Sequence, residues 1–105
     1  NHLVWIQTGQ RQGERADFSN MDLSRTDFSR SVLASAVFKG AILADVSFQG
    51  AILAAADFRD AILLRADLTR ADLRGADLRG ANLKDAIQTG ARIGEMQGVK
   101  LATRT

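Results

Sequence analysis

The chain of 105 residues contains no cysteine, and its only histidine is His2. The absence of cysteine excludes disulfides and thiolate metal sites, and it leaves the redox compartment undecided. Because no histidine lies in the body of the chain, catalytic pairs of the Ser–His and Cys–His types are excluded as well. No apolar run is long enough to span a membrane. These absences predict a protein without catalytic activity, cofactor or membrane partner.

A strong excess of charge of one sign is also lacking. The sequence has 14 Lys and Arg against 12 Asp and Glu, which is a formal net charge of +2. This near balance argues neither for nor against nucleic acid as a partner. Basic residues and Asp alternate through residues 57–85, which is typical of a well-solvated surface. No signal peptide is visible, so the cytoplasm is the expected compartment, and the start at Asn1 leaves upstream sequence open.

A large apolar residue, Leu or Phe, returns at every fifth position along most of the chain. A small residue precedes it by two positions in most units, with Met21 and Val46 as the bulky exceptions. The fourteen large residues are Phe18, Leu23, Phe28, Leu33, Phe38, Leu43, Phe48, Leu53, Phe58, Leu63, Leu68, Leu73, Leu78 and Leu83. The register continues weakly toward Glu95, and such regular repetition predicts a repeat architecture.

A period of five fits neither an α-helix nor a flat strand. On a helix the large residues would scatter around the axis, and on a strand they would alternate between the two faces. Within one unit, however, the small and the large residue are two apart and share one side of a short extended segment. If both point inward in every unit, the chain must bend after each unit. The expected result is a solenoid with a dry interior.

The order of Phe and Leu limits the number of sides of this solenoid. All five Phe occupy alternate units. Three or five sides per turn would mix Phe with Leu in every vertical column. Four sides would stack Phe18, Phe38 and Phe58 in one column and Phe28 with Phe48 in the opposite one. Two sides per turn would fit the alternation equally well, so the periodicity alone leaves both possibilities open.

The segment 71–83, which reads ADLRGADLRGANL, resembles the A(D/N)LXX consensus of pentapeptide repeat proteins. The resemblance covers residues 16 to about 95. It implies an all-β fold, a right-handed quadrilateral β-helix with twenty residues per coil and about four coils. It implies little about function, since most members have none known and a subset protects or inhibits DNA gyrase by imitating DNA.

Both ends fall outside the repeat and are predicted to cover the solenoid, whose predicted range is 16–95. Residues 1–15 are interpreted as an N-terminal cap that lays Trp5 over the first coil, because a terminal coil exposes its interior and unpaired backbone. A partner-binding anchor is the alternative role for Trp5. Residues 96–105 are predicted to be a C-terminal cap or a linker.

Asp often precedes the large residue of a unit, which raises the question of carboxylate or metal chemistry. The residues concerned are Asp17, Asp22, Asp27, Asp57, Asp67, Asp72 and Asp77. They belong to the repeat consensus and are predicted to point outward beside turns, where Asp bonds the turn backbone. The calcium-binding β-roll needs a Gly-rich nonapeptide that this chain lacks. The sequence therefore predicts no catalytic residue, no metal ligand and no cofactor.

Stacking of outward positions every twenty residues groups the charges into columns. Lys39, Arg59 and Arg79 form a candidate basic column for weak nucleic-acid binding. This use is not favoured, because nearby Asp would repel phosphates and no surface aromatic residues are interleaved. A second column alternates in sign and is interpreted as structural: it reads Arg25, Asp45, Arg65 and Asp85. A third places two arginines across a glycine: Arg30, Gly50 and Arg70.

Several units carry Ile or Val where the consensus has Asp or Asn. Stacking brings Ile42 next to Ile62, near an exposed Leu64, and brings Val32 next to Ile52 on the opposite side. These five residues are the candidate interaction surface, because clustered exposed apolar residues mark contact sites. The strand propensity of β-branched residues is the alternative explanation for Ile and Val.

The favoured function is a rigid, non-enzymatic scaffold or protein-interaction module with an unidentified protein partner. A weak homodimer through the Ile42 and Ile62 column is a further expectation. The first alternative, which the resemblance implies, is a DNA-mimicking inhibitor or protector of a topoisomerase such as gyrase. A mimic needs a long and strongly acidic surface, which a short solenoid with a net charge of +2 does not provide.

Overall fold

The computed structural model describes residues 15–94, and they form a four-sided β-helix. Single-residue parallel bridges join positions twenty apart, as in Asp17 to Val37 and Ile42 to Ile62. Within the described range the chain has no helix and no continuous strand, only these isolated bridges separated by turns. An offset of twenty residues means four units of five per coil. The structure thus selects the four-sided alternative over the two-sided one.

The faces are numbered here in chain order. The outward residues are Asp17, Val37, Asp57 and Asp77 on the first face, and Asp22, Ile42, Ile62 and Asn82 on the second. They are Asp27, Ser47, Asp67 and Ile87 on the third face, and Val32, Ile52, Asp72 and Arg92 on the fourth. Each coil therefore passes all four faces before the next coil begins. The second and fourth faces lie opposite each other.

Backbone hydrogen bonds hold neighbouring coils together in both directions. The amide of Phe38 donates to the carbonyl of Asp57 in the next coil at 2.7 Å, and the amide of Val37 donates to Ala16 in the previous coil at 2.9 Å. The interior coils repeat this scheme on every face. Buried backbone groups are thereby paired, which a solenoid of such short segments requires.

A turn follows every large residue and produces the corner of the coil. The amide of Ala41 donates to the carbonyl of Phe38 at 3.0 Å, which closes one such four-residue turn. Its third residue, Gly40, has a φ of 70°, as the third position of a type II turn requires. Ten of the fifteen corner residues with positive φ are not glycine, and Ala55 with a φ of 61° is among them. Asn and Asp adopt this conformation readily, but the solenoid also imposes it on residues such as Ala55 that rarely do.

Close packing between coils explains where glycine is used at these corners. A Cβ atom on Gly80 would overlap the side chain of Asp60, and one on Gly40 would overlap that of Asn20. In each case the longer side chain of the preceding coil lies over the glycine. Glycine is thus needed at these two corners for space as well as for its positive φ.

The interior is a close-packed column of Phe, Leu and small residues. Phe18, Phe38 and Phe58 stack with ring centroids 5.1 and 5.0 Å apart, and Phe28 stacks on Phe48 at 5.3 Å. The two columns meet edge to face, as at 5.6 Å between Phe38 and Phe48. Both geometries are favourable for aromatic rings. The predicted four-sided arrangement of the Phe columns is confirmed.

Three residues depart from the simple expectation for the core. Leu83 is only half-buried, whereas the other thirteen large residues are buried. Met21 occupies a small-residue position and is exposed, while Val46 at the equivalent position is buried. Gln88 replaces the large residue in the last coil and is half-buried. The dry core thus loosens toward the C-terminal coil.

Parts of the predicted domain plan lie outside the described residues. Trp5 and the predicted C-terminal segment 96–105 are among them, so the capping roles and the boundaries of the three segments stay predictions. Along residues 15–94 there is no helix of the length and apolarity needed to cross a bilayer.

Candidate interaction surfaces

The candidate aliphatic surface divides between two opposite faces. On the second face Ile42 and Ile62 are bridged to each other and are 37% and 39% exposed. On the fourth face Val32 and Ile52 are likewise bridged and are 45% and 41% exposed. The stacking of each predicted pair is therefore present in the structure, and each pair forms a short apolar strip. We call these the Ile42–Ile62 strip and the Val32–Ile52 strip.

Leu64 differs from its predicted exposure. It lies in the corner after Leu63 and is half-buried, since neighbouring coils lie directly on either side of it. Its carbonyl accepts from the Asp45 amide at 2.9 Å, which ties this corner to the preceding coil. Leu64 therefore adds only a part of its side chain to the border of the Ile42–Ile62 strip.

The candidate basic column is largely neutralised by its own acids. Arg79 donates to Asp77 through Nε at 2.9 Å and Nη2 at 2.6 Å, so the two side chains form a bidentate pair. Arg59 pairs with Asp57 in the same way and lies 3.9 Å from Asp77. The hydrogen bond from Arg79 lowers the pKa of Asp77 to about 2. Because these carboxylates stay ionised at neutral pH, the column offers little net charge to a phosphate backbone.

The outward Asp residues serve the turns, as the sequence indicated. The amide of Ser24 donates to Asp22 at 3.1 Å, and its hydroxyl donates to the same oxygen at 2.7 Å. Thr69 contacts Asp67 by the same two groups. Within residues 15–94 there is no group of three or more His, Cys, Asp or Glu placed to hold a metal ion. The repeat carboxylates are used for local hydrogen bonds.

One step of the alternating charge column forms a tight contact between coils. Arg65 donates to Asp45 through Nε at 2.7 Å and Nη2 at 2.8 Å. This hydrogen bonding lowers the pKa of the Asp45 carboxyl and raises that of the Arg65 guanidinium. Both side chains are well exposed, so the pair is worth little in water. Its main effect is that the Arg65 and Asp45 charges neutralise each other.

A surface groove of about 490 Å³ lies at the corner between the third and fourth faces. It is lined by Arg30, Gln49, Gly50, Arg70, Gly90 and Arg92. None of these residues is acidic or aromatic. The sequence showed Arg30 and Arg70 across Gly50, but it assigned them no role. Arg92 was missed, because it stands at an outward position where the repeat usually has Asp or an aliphatic residue.

Comparisons of the sequence and of the structure with known proteins give similarities to the same family. The family model for pentapeptide repeats (8 copies) matches residues 14–50 and 51–87. The chain is 40% identical to a pentapeptide repeat protein of the Arabidopsis thaliana thylakoid lumen, with a TM-score of 0.76 over 81% of this chain and 59% of that one. It is 28% identical to a pentapeptide repeat protein from Nostoc Pcc 7120, with a TM-score of 0.77 over 94% of this chain and 85% of that one. No curated protein sequence gave a significant match.

Proposed function

This chain belongs to the pentapeptide repeat family, and on that premise we propose that it is a rigid, non-enzymatic protein-interaction module. Proteins of this family are generally non-catalytic. The observation that carries the proposal is the pairing of Ile42 with Ile62 at outward positions of one face. A column of exposed aliphatic side chains favours contact with another protein surface.

The same column indicates that Ile42 and Ile62 are not needed for folding. Asp22 precedes Ile42 and Asn82 follows Ile62 in one continuous set of bridges. Polar residues thus adopt the same backbone at both ends of the column. Strand propensity alone does not explain why the two middle positions are apolar, although it contributes to stability. This contrast supports a role of the strip in binding.

We expect the first detectable partner to be a second copy of the chain. A two-fold axis would place the Ile42–Ile62 strip of one protomer against the same strip of its partner. The strip is short, so a weak dimer is expected, because specific and stable interfaces bury on the order of 1,200–2,000 Å². A different protein partner is the other form of the same proposal.

The test compares two double variants by sedimentation velocity. Ile42→Asp with Ile62→Asp should fold and remain monomeric at concentrations where the wild type self-associates. The matched control is Val32→Asp with Ile52→Asp, which adds the same charge on the opposite face and should leave self-association unchanged. A dimer that persists in the first variant would place the contact elsewhere. A wild type that is monomeric at high concentration would reject self-association.

The topoisomerase and nucleic-acid alternatives have less support. Asp57 and Asp77 of the first face are paired with Arg59 and Arg79, so this face is neither strongly acidic nor strongly basic. A supercoiling assay with gyrase tests the first alternative, and inhibition or quinolone protection at micromolar concentration would favour it over our proposal. Salt-dependent retention of DNA tests the second. The cytoplasm stays our expected compartment, and a cell-fractionation experiment would test it.

A further inference from the structure

The groove between the third and fourth faces exists because two corners lack side chains. The Arg30 stem lies over Gly50, since a Cβ there would be 3.5 Å from its Cγ. The Arg70 stem lies over Gly90 in the same way, with a corresponding distance of 3.1 Å. Arg30 and Arg70 are two coils apart. Given the spacing of neighbouring strands, their backbones are separated by roughly 10 Å. Glycine thus forms a floor between two long cationic side chains, and Arg92 lines the same groove.

These arginines differ from the paired ones by their surroundings. Arg65 also stands at a corner, but the residue one coil before it is Asp45, with which it pairs, whereas Gly50 lies one coil from both Arg30 and Arg70. Arg59, Arg74 and Arg79 directly follow the large residue, and each folds back onto the Asp two residues before it. Arg30 and Arg70 stand one position later, at the corner itself. Their guanidinium groups make no ion pair within 4.0 Å with any residue in the part of the chain that the structure describes.

The nearest acids are already engaged. Asp27, three residues before Arg30, accepts hydrogen bonds from the hydroxyl and the amide of Ser29. Asp67, three residues before Arg70, accepts from the hydroxyl and the amide of Thr69 in the same manner. Asp72, in the fourth-face column that includes Arg92, is held by Arg74 at 2.8 Å. Three cationic side chains thus line one groove, and the carboxylates beside it accept their hydrogen bonds from Ser29, Thr69 and Arg74. Asp27 and Asp72 remain charged and act on Arg30 and Arg92 through space only.

We propose that this groove binds a small phosphate-class oxyanion that carries at least two negative charges, of which pyrophosphate is the simplest example. Guanidinium groups present N–H donors in a planar fork that matches phosphate oxygens. The groove has no aromatic or large apolar side chain to hold a base or an apolar ligand. The Gly50 amide already donates to Thr69 at 2.8 Å, so binding depends on the arginine side chains and Gln49. A volume of about 490 Å³ is in the range of small-ligand sites.

The proposal is independent of the Ile42–Ile62 strip, which lies on another face.

To test the proposal, pyrophosphate is titrated into the full chain labelled with nitrogen-15, and the Nε–H signals of the arginines are followed at low and at physiological salt. We expect saturable shifts for the groove arginines. Arg70→Gln should weaken binding about tenfold or more, because hydrogen bonds to charged groups are the strong ones.

Arg25→Gln is the matched control for loss of charge. Arg25 stands at the same corner position with a φ of 64°, but in another column and outside the groove. Arg25→Gln should change the affinity for pyrophosphate by no more than about twofold, as expected for a distant surface charge screened by salt. Equal weakening by the two substitutions, or no weakening by Arg70→Gln, would overturn the proposal.

Gly50 provides a second pair of variants that keep the fold. Asp45 and Asn20 occupy equivalent corners with φ of 61°, so Gly50→Asp and Gly50→Asn are both expected to fold. Gly50→Asp places a carboxylate between Arg30 and Arg70 and should abolish binding. Gly50→Asn fills the same part of the groove without the charge and should weaken binding less. Unchanged affinity in Gly50→Asp would reject the site. Citrate that binds as tightly as pyrophosphate would reject the phosphate class, because it carries a similar charge on carboxylates.

Discussion

Arg59 folds back onto Asp57, two residues before it, with Nε 2.9 Å from Oδ1 and Nη2 2.8 Å from Oδ2. The corner geometry makes this contact local, because the outward Asp and the first turn residue flank the same large residue. Arg74 with Asp72 and Arg79 with Asp77 repeat it. An arginine at this position therefore neutralises the Asp of its own unit. One position later, Arg65 pairs with Asp45 of the preceding coil, whereas Arg30 and Arg70, which are separated by Gly50, line the groove.

These pairs predict that stability falls in acid. Arg74 and Arg79 lower the pKa of Asp72 and Asp77 to about 2, from an ordinary value of 3.8. A carboxyl whose pKa is lower in the folded state stabilises the fold above its ordinary pKa, and this contribution disappears as pH falls from about 4 through 2. Urea unfolding at neutral pH and across this range should show the loss, provided that unfolding is reversible.

Asp77→Asn is the control for this pH dependence. Asn82 already accepts the Lys84 amide at 3.0 Å, so an amide side chain can keep the backbone bond at this position. The variant should be less stable than the wild type at neutral pH and should approach it near pH 2. An equal difference at both pH values would contradict the ionic origin.

Leu63→Asp should prevent folding. Leu63 is fully buried in a column between Leu43 and Leu83, so the new carboxylate would have no partner in the core. The control is Ile62→Asp, which adds the same charge one residue away on the outward side and should fold. Far-ultraviolet circular dichroism with thermal melting distinguishes them, and a cooperative melt of Leu63→Asp would contradict the core assignment.

Leu73→Ala should destabilise the protein by about 2–5 kcal/mol, as a cavity in a close-packed core does. Leu73 is 1% exposed, whereas Leu83 is half-buried. Leu83→Ala should therefore lower the free energy of unfolding by less. Chemical denaturation of both variants provides the comparison. A larger loss for Leu83→Ala would mean that Leu83 is packed more tightly than Leu73, against the exposure seen in the structure.

Gly80→Ala should destabilise more than Gly75→Ala. Both corners have nearly the same φ, 77° and 76°, so the strain of about 1 kcal/mol in the left-handed region is shared. A Cβ at position 80 also overlaps Asp60, whereas one at position 75 meets only Ala55 at 3.7 Å. Asp60→Gly should recover part of the loss in Gly80→Ala. Denaturation of the two single variants and the double variant tests the coupling, and additive effects would exclude the steric contact.

The five-residue period by itself determined the solenoid, the inward residues and the outward position of each unit. It did so because each short extended segment can bury only the small and the large residue of its unit. The alternation of Phe and Leu narrowed the number of sides to two or four. The twenty-residue coil that the family resemblance implies placed Ile42 beside Ile62 and Val32 beside Ile52.

The tertiary structure selected four sides where the periodicity had left two or four, and it alone decided the state of each charged group. The stacking of Phe38 on Phe58 depends on the distance between coils, which a repeat length does not specify. Whether an arginine is paired depends on which donor lies next to each carboxylate. At Asp67 that donor is the hydroxyl of Thr69 and not a guanidinium. The arginine groove also brings Arg30 and Arg92 together from positions far apart in the chain. Such relations follow from how coils stack in space, so the sequence pattern could show the columns but not their contacts.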